Sequence, residues 1–391
     1  MKVFEKIVGQ SKAIGILNNA SSAARNNKGT QEMTHAWLFT GPPGSGRSNL
    51  ALAFGASLIC SQGGCGDCTD CQTALIGSHP DVEVFATDGV SIKVDDIREL
   101  VSRSSWAASL SAWRVVIVED CDRMTESAAN ALLKAVEEPA LQTVWLLSAP
   151  TPEDVLPTIR SRCRIISLAT PTTREVSGYL IKELGASIEE AKVASAISQG
   201  HIGRARHYVI NRESIQLRRM VVDLCLSITN EASAILNAGQ LLEIATSRAE
   251  IMSEESGRKA EELLRATVQG PNRSLLSGGS KVMKDFEKSQ KSRTARLIRD
   301  ELDMYFLWLQ SLFRDSLQSA TGSPEDLINP DLAPQIAHLK ELFSSSALEA
   351  IGQRIIRYRE TLDSNAAQLL SLEAFFLDLQ GHRSGQKHSL T

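Results

Sequence analysis

The stretch Gly41-Pro-Pro-Gly-Ser-Gly-Arg-Ser48 limits what this chain can fold into more than any other. It follows an apolar run over 35–40 and precedes an alanine-rich run over 49–54, an order that predicts strand, glycine loop and helix. In such a P-loop the backbone N–H groups converge on a phosphate at the helix N-terminus. The alternative is a Gly/Pro-rich turn without a ligand, but GxxxxG followed by a basic residue and Ser is hard to meet by chance in this context.

The residue types within the loop predict a nucleotide site with weakened chemistry. A P-loop normally carries Lys where this chain has Arg47. Arginine keeps the positive charge, but its planar fork is longer than the compact ammonium group that such a pocket takes. ATP with Mg²⁺ is therefore a candidate ligand whose turnover is in doubt. The candidate binding residues are Gly41, Gly44, Gly46, Arg47 and Ser48.

Length and composition bound the classes of protein that fit. A chain of 391 residues exceeds what one hydrophobic core usually supports, so we expect two or three domains. The net charge of −4 gives no global attraction to polyanions, so nucleic acid would be met locally or through a larger assembly. The sequence has neither a signal-peptide pattern nor an apolar run of about 18 residues. We expect a cytoplasmic protein without a membrane partner.

Four of the seven cysteines, Cys60, Cys65, Cys68 and Cys71, fall within twelve residues. Four closely spaced thiolates match a closed tetrahedral zinc site, which leaves no position open for chemistry. We therefore expect a structural Zn²⁺ that folds a loop too short to have its own core. The alternative is that these cysteines are free or disulfide-paired.

A pair of acids follows the apolar run Val115 to Val118. Acids at the carboxyl end of a buried parallel strand lie beside the phosphate loop. In a P-loop ATPase one acid holds magnesium and the next orients the attacking water. The usual Asp-Glu order is reversed here as Glu119 and Asp120, so each side chain has the wrong length for its role. The alternative is that both acids only cap the next helix.

Three arginines lie near the end of a further predicted helix. The run Thr151-Pro152-Glu153 combines an N-cap, a proline at the first helical position and an acid in the first turn, so it predicts a helix that ends near Cys163. Cations in the last turn of a helix interact favourably with its dipole, which gives each arginine a purely structural alternative. They are Arg160, Arg162 and Arg164.

Taken together, these motifs resemble a known family. The run Ala129-Asn-Ala-Leu-Leu-Lys-x-x-Glu-Glu-Pro139, then Ser161-Arg-Cys163, follows a P-loop and a four-cysteine module. This combination is similar to the subunits of the bacterial DNA polymerase III clamp loader, which belong to the AAA+ class. The similarity is strongest over 3–170, and it is greater to the delta-prime subunits than to the gamma/tau subunits that hydrolyse ATP.

The resemblance implies a division into three domains. An α/β P-loop AAA+ core with a parallel sheet would occupy 1–169 and carry the zinc module at 60–71. A small helical lid would follow over 170–212. A C-terminal all-α collar domain would occupy 213–380 and join the subunits into a ring. The remaining residues, 381–391, are expected to form a disordered tail.

The resemblance also implies a function. Clamp loaders open a ring-shaped sliding clamp and place it on primed DNA, and in this family the arginine that matches Arg162 is an arginine finger for ATP in a neighbouring subunit. The expected partners are the gamma/tau and delta subunits, with the clamp and DNA met through the assembly. Active relatives differ at four places, so we expect a largely non-hydrolysing subunit. These places are Arg47, the Glu119-Asp120 pair, the stretch 148–151, and Gly203 where active members carry arginine.

One alternative is an active gamma/tau-like ATPase that uses Arg47, Ser48, Glu119 and Asp120. The sequence therefore leaves the intrinsic ATPase activity of the chain open between these two alternatives. A P-loop kinase or an unrelated metabolic enzyme fits neither the Ser-Arg-Cys motif nor the C-terminal helices.

Overall fold

The computed structural model describes residues 1–25, 32–87, 91–268, 279–322, 327–363 and 368–383, and the side chains of all these except 255–268, 279–292 and 363. It divides into two compact units, 1–210 and 211–391. The division into three domains stays a prediction. The tail predicted over 381–391 lies outside the described residues from 384 onward.

A five-stranded parallel sheet forms the centre of the first unit, with the strand order β2-β3-β4-β1-β5. Every residue of β1, β3 and β4 is buried. Strands that read as continuous apolar runs are typical of parallel sheets covered on both faces. The strands are β1 (Ala36–Thr40), β2 (Val82–Phe85), β3 (Arg114–Val118), β4 (Thr143–Ala149) and β5 (Arg164–Ser167).

Helices cover both faces of this sheet. Alternate residues of each strand point to opposite faces, so Phe39 packs in one cluster and Leu38 in the other. The first cluster contains residues of α1 and α2, and the second contains residues of α4 and α5. The helices of this part are α1 (Ser11–Arg25), α2 (Arg47–Ile59), α3 (Thr69–Leu75), α4 (Val94–Ser104), α5 (Glu126–Glu137) and α6 (Pro157–Arg160).

Three further helices complete the first unit: α7 (Thr173–Leu184), α8 (Ile188–Ser198) and α9 (Ile202–Ile210). Capping boxes fix the starts of the first two, because Thr172 and Ser187 each exchange hydrogen bonds with a glutamate three residues later. The start of α9 lies against the P-loop, since the N–H of Ile202 donates to the carbonyl of Gly44 at 3.3 Å.

The helix predicted from Thr151 to Cys163 is wrong in its extent, because only Pro157–Arg160 is helical. A residue before proline is disfavoured in the helical region, and Leu156 is extended with φ −49° and ψ 134°. The helix therefore starts at Pro157. Arg162 lies beyond its end, in the turn that leads to β5.

The second unit is helical throughout its described residues, apart from turns. A fully buried arginine, Arg218, ties α10 to the segment before α13 by donating hydrogen bonds to Asn329 and Asp331. The helices are α10 (Glu213–Leu226), α11 (Glu231–Val268), α12 (Gly279–Thr321), α13 (Ala333–Leu342), α14 (Ser345–Asp363) and α15 (Gln368–Gly381).

The predicted architecture is thus confirmed: an α/β core that carries the P-loop on a parallel sheet, followed by a small helical unit and an all-α C-terminal domain. Among the described helices, none combines the length and the hydropathy that crossing a lipid bilayer requires.

A buried carboxylate, Asp81, organises the loop before β3. It accepts hydrogen bonds from the N–H groups of Ser109, Leu110 and Ser111 at 2.6–2.9 Å and from the hydroxyl of Ser109. Burial alone would raise the pKa of Asp81, but these donors outweigh it and lower the pKa from 3.8 to about 2. A carboxylate held by several N–H groups is stabilised in its charged form.

We predict that Asp81→Asn lowers the free energy of unfolding at pH 7 by about 2 kcal/mol, the value of a pKa shift of this size. Because the folded pKa is depressed, the stabilisation is present above pH ~4 and is lost as pH falls from about 4 to about 2. Urea titrations across this range should show that the difference in unfolding free energy between wild type and variant becomes smaller as pH falls. Asp95→Asn, at an exposed carboxylate, is the control, and a difference that stays constant with pH would contradict the assignment.

Candidate nucleotide and metal sites

The sheet brings the P-loop and the predicted acids to one edge. Thr40 pairs with Ala149 of β4, and Val118 of β3 pairs with Leu147. The residues that follow these strands are therefore neighbours at the carboxyl edge of the sheet, as the sequence predicted. The N–H of Gly41 donates to the carbonyl of Pro150, which joins the P-loop to the segment after β4.

Within this arrangement Arg47 is bonded to its own protein. Its Nη1 donates to the carbonyl oxygen of Gly41 at 2.7 Å, and its Nη2 lies 3.6 Å from Oδ1 of Asp120. Only 12% of the side chain is exposed. In a hydrolysing P-loop the basic residue contacts the β- and γ-phosphates. Here the guanidinium instead contacts the first residue of the P-loop, Gly41, and the carboxylate of Asp120.

The acid that would orient water is held by neighbouring groups. Asp120 adopts a left-handed backbone conformation with φ 49°, which is uncommon for residues other than glycine and is often found at functional sites. Its carboxylate lies 3.7 Å from Arg123 as well as near Arg47. Its N–H donates to Oγ of Ser148 at 3.3 Å. Ser148, in the stretch where active relatives sense the γ-phosphate, therefore contacts the backbone of Asp120.

The imidazole of His201 lies directly on the P-loop. Gly44 has φ +82°, and a Cβ atom there would fall 2.1 Å from the ring, so glycine is required by both the backbone and the contact. Burial, with a smaller contribution from the charge of Arg204, lowers the pKa of His201 to about 4. The ring is therefore neutral at pH 7 and brings no positive charge to the phosphate cradle.

The remaining predicted groups of the nucleotide site lie where the motif places them. Gly46 is the N-cap of α2, and Ser48 lies half-buried in the first turn of that helix. Glu119 follows β3 and is half-buried.

The four clustered cysteines converge, as predicted. Their Sγ atoms all lie within 4.8 Å of one another, and three of the separations are 3.7, 3.8 and 4.0 Å. Four sulfurs placed 2.3 Å from a tetrahedral centre lie about 3.8 Å apart, so the cluster could hold a metal ion. All seven cysteines of the chain are free, which excludes the disulfide alternative in this structure. The other three, Cys121, Cys163 and Cys225, lie at isolated positions in the sequence.

Local backbone geometry explains why this loop can gather four sulfurs. Gly64 has φ +90°, and a Cβ atom there would meet Val3 at 2.7 Å, so the loop packs tightly on the N-terminal turn. Cys68 is the N-cap of α3, and its sulfur accepts from the N–H of Cys71. Burial raises the pKa of Cys60, but N–H donors from this loop prevail and lower it to about 6.

The three arginines around the Ser-Arg-Cys motif differ in their surroundings. Nη1 of Arg160 donates to the carbonyl of Pro152 at 3.2 Å. Arg164 donates to the carbonyl of Glu32 at 2.7 Å and lies over the ring of Trp37. Both thus bond to backbone carbonyls of other segments of the chain. Arg162 is about two-fifths exposed, and its Nη2 lies 2.5 Å from a carboxylate oxygen of Glu137.

Arg162 and the P-loop lie at opposite edges of the sheet. Trp37, near the start of β1, pairs with Arg164 at the start of β5, whereas the P-loop follows the end of β1 at Thr40. Arg162 immediately precedes this amino edge, and the length of β1 separates the two edges by about 13 Å. The arginine is therefore displaced from the nucleotide site of its own chain.

Sequence reasoning missed two residues of these sites. His201 lies in the predicted lid, but nothing in its spacing signals that its ring contacts Gly44. Glu137 belongs to the motif that carries the resemblance, yet its pairing with Arg162 depends on the turn after α6, whose start was predicted wrongly. The short helix α3 and the strand β5 were not predicted either.

Comparison with known proteins gives consistent matches. The family model described as DNA polymerase III, delta subunit, matches residues 16–172. The model described as DNA polymerase III, delta subunit, C terminal, matches residues 286–381. The two ranges together make up more than half of the chain.

Individual relatives agree with these models. The delta-prime subunit of DNA polymerase III from Pseudomonas aeruginosa is 41% identical over 141 residues, which are 34% of this chain and 43% of the relative. The gamma/tau subunit from Mycobacterium bovis is 34% identical over 205 residues, 50% of this chain and 34% of the relative. The delta-prime subunit from Yersinia pestis is 27% identical over 334 residues, covering 84% of this chain and 83% of the relative. The first two alignments thus span less than half of each relative's length.

Proposed function

Because the chain belongs to the delta-prime family of DNA polymerase III subunits, we propose that it is a clamp-loader subunit that does not hydrolyse ATP itself. In this proposal it helps to load the sliding clamp onto primed DNA during replication. Its partners are gamma/tau and delta subunits, and it acts in the cytoplasm. It supplies Arg162 to the ATP site of a neighbouring subunit.

The observation that carries the non-hydrolysing part is the position of Arg47. A guanidinium bonded to Gly41 and facing Asp120 is already neutralised by its own protein. To contact a γ-phosphate it would have to give up both interactions in a partly buried site, where breaking a charge-assisted hydrogen bond costs about 1.5–3 kcal/mol. The neutral ring of His201 on Gly44 adds to this obstruction.

The position of Arg162 supports a role in a neighbouring site. An arginine finger stabilises the charge that develops on the transferred phosphoryl group. Arg162 lies on the edge of the sheet away from its own P-loop, and about two-fifths of its side chain faces solvent. Such an arginine is accessible to a second protein. All three arginines donate to a backbone carbonyl of their own chain, Arg160 to Pro152, Arg162 to Thr158 and Arg164 to Glu32.

For the cysteine cluster we propose a structural Zn²⁺. Soft thiolates select zinc among the divalent metals of the cell, and four ligands close the coordination sphere. The ion would fasten the loop over 60–71 to α2 and the N-terminal turn. It would take no part in phosphoryl transfer.

The second candidate function is an active gamma/tau-like ATPase. It is favoured by the 34% identity to the Mycobacterium bovis gamma/tau subunit over half of this chain. Arg47, Ser48, Glu119 and Asp120 would then bind and hydrolyse ATP. This function requires Arg47 to leave Gly41 when nucleotide binds.

Arg162→Ala tests the finger. In a clamp loader reconstituted with this chain, ATP turnover at the site facing Arg162 should fall by about 10³-fold, the lower limit for loss of an arginine finger. Total ATP turnover, measured as ADP release, should fall by the fraction that this one site contributes. Gel filtration should show that the complex still assembles. Arg160→Ala, which removes a cation of the same turn, is the control. Unchanged turnover in the Arg162 variant would contradict the proposal.

Metal analysis tests the zinc site. The purified chain should contain one zinc ion, and Cys68→Ser should release it. The variant should also lose part of the ~10 kcal/mol that structural zinc contributes in small domains, which thermal unfolding would detect. Cys225→Ser, at a cysteine outside the cluster, should retain the metal. Equal stability of the chain with and without chelator would count against a structural ion.

A further inference from the structure

One contact of Arg162 is not explained by its proposed role as a finger. Nη2 lies 2.5 Å from Oε1 of Glu137, the last residue of α5. We propose that Glu137 is a positioning residue that holds the guanidinium of Arg162 in the orientation needed by the ATP of a neighbouring subunit. This inference rests on the proposed function of Arg162.

The contacts of Arg162 leave part of its guanidinium available. Nη1 donates to the carbonyl of Thr158 at 2.8 Å and to Oγ of Ser161 at 3.2 Å, while Nη2 contacts Glu137. A guanidinium has five N–H donors in a rigid fork. Nε and the second hydrogen of Nη2 bond to no residue that the structure describes. The fork is therefore fixed at one side and can donate to an incoming phosphate at the other.

Helix electrostatics give no reason for an acid at this position. The C-terminal end of a helix carries partial negative charge, so a glutamate in the last turn of α5 is disfavoured. The ion pair with Arg162 is of similar size to this cost, because both side chains are about two-fifths exposed and such pairs contribute at most about 1 kcal/mol. The pair therefore does little for stability, and orientation of the arginine is its main physical effect.

The neighbouring glutamate provides an internal comparison. Glu138 is also exposed, and it forms no ion pair with any described residue. Glu137 and Glu138 thus share a helix end and a charge, but only Glu137 contacts the arginine. An effect of negative charge at this helix end would be shared by both glutamates. Orientation of the Arg162 guanidinium would depend on Glu137 alone.

The test uses the reconstituted complex, with ATP turnover measured as a function of ATP concentration. The Arg162-dependent turnover is defined as the difference between wild type and Arg162→Ala. Glu137→Ala should lower this difference about 10-fold in kcat with little change in KM, since misplacing a catalytic group by an ångström can cost up to ~10²-fold. Glu137→Gln keeps an acceptor oxygen and should retain more activity than Glu137→Ala. Glu138→Gln should match wild type.

The decisive readout is the double variant. Glu137→Ala should have no further effect in the Arg162→Ala background, because a positioning residue acts only through the group that it positions. An equal loss in both backgrounds, or unchanged or increased turnover in wild-type background, would overturn the positioning role and leave the finger intact. No effect of Arg162→Ala alone would instead contradict the proposed function. Thermal unfolding of Glu137→Ala and Glu137→Gln shows that the comparison is made on folded protein.

Discussion

The pairing of β1 with β4 on one side and β5 on the other determines where the P-loop and Arg162 lie in the first unit. Because these strands and β3, which pairs with β4, are all parallel, their carboxyl ends gather the P-loop, Asp120 and Ser148 at one edge. The same pairing puts the start of β5, and Arg162 before it, at the opposite edge. A shift in this register would move the P-loop and Arg162 relative to each other, so the sheet itself keeps the two apart.

The two edges differ in how their arginines are neutralised. At the carboxyl edge Arg47 is mostly buried and donates to the main chain at Gly41. Its positive charge is compensated by the carboxylate of Asp120 in the same chain. At the amino edge Arg162 is more exposed and is paired with a carboxylate that water screens. A phosphate brought by another subunit can compete for the second arginine at low cost, but not for the first. The same residue type is thus held inside the fold at one edge and stays partly exposed at the other.

Much of this arrangement could be predicted from the sequence, because its signals are local. The glycine spacing identifies the P-loop, the apolar runs identify β1 and β3, and the cysteine spacing identifies the cluster. Contacts made across the fold leave no such pattern. The contact of the His201 ring with Gly44 depends on how α7, α8 and α9 pack. The contact of Glu137 with Arg162 depends on α6 beginning at Pro157 and not earlier. The sequence shows which residues differ from those of an active site. The hydrogen bond from Arg47 to Gly41 is visible only in the structure.

We propose that this chain has kept a P-loop that does not turn over ATP. Equilibrium dialysis of the isolated chain with labelled ATP and Mg²⁺, followed by measurement of ADP release on the same samples, tests it most directly. We expect a dissociation constant above about 1 mM, equivalent to a binding free energy of roughly −4 kcal/mol or weaker, and no steady release of ADP. Micromolar affinity with steady hydrolysis would contradict it and would favour an active ATPase.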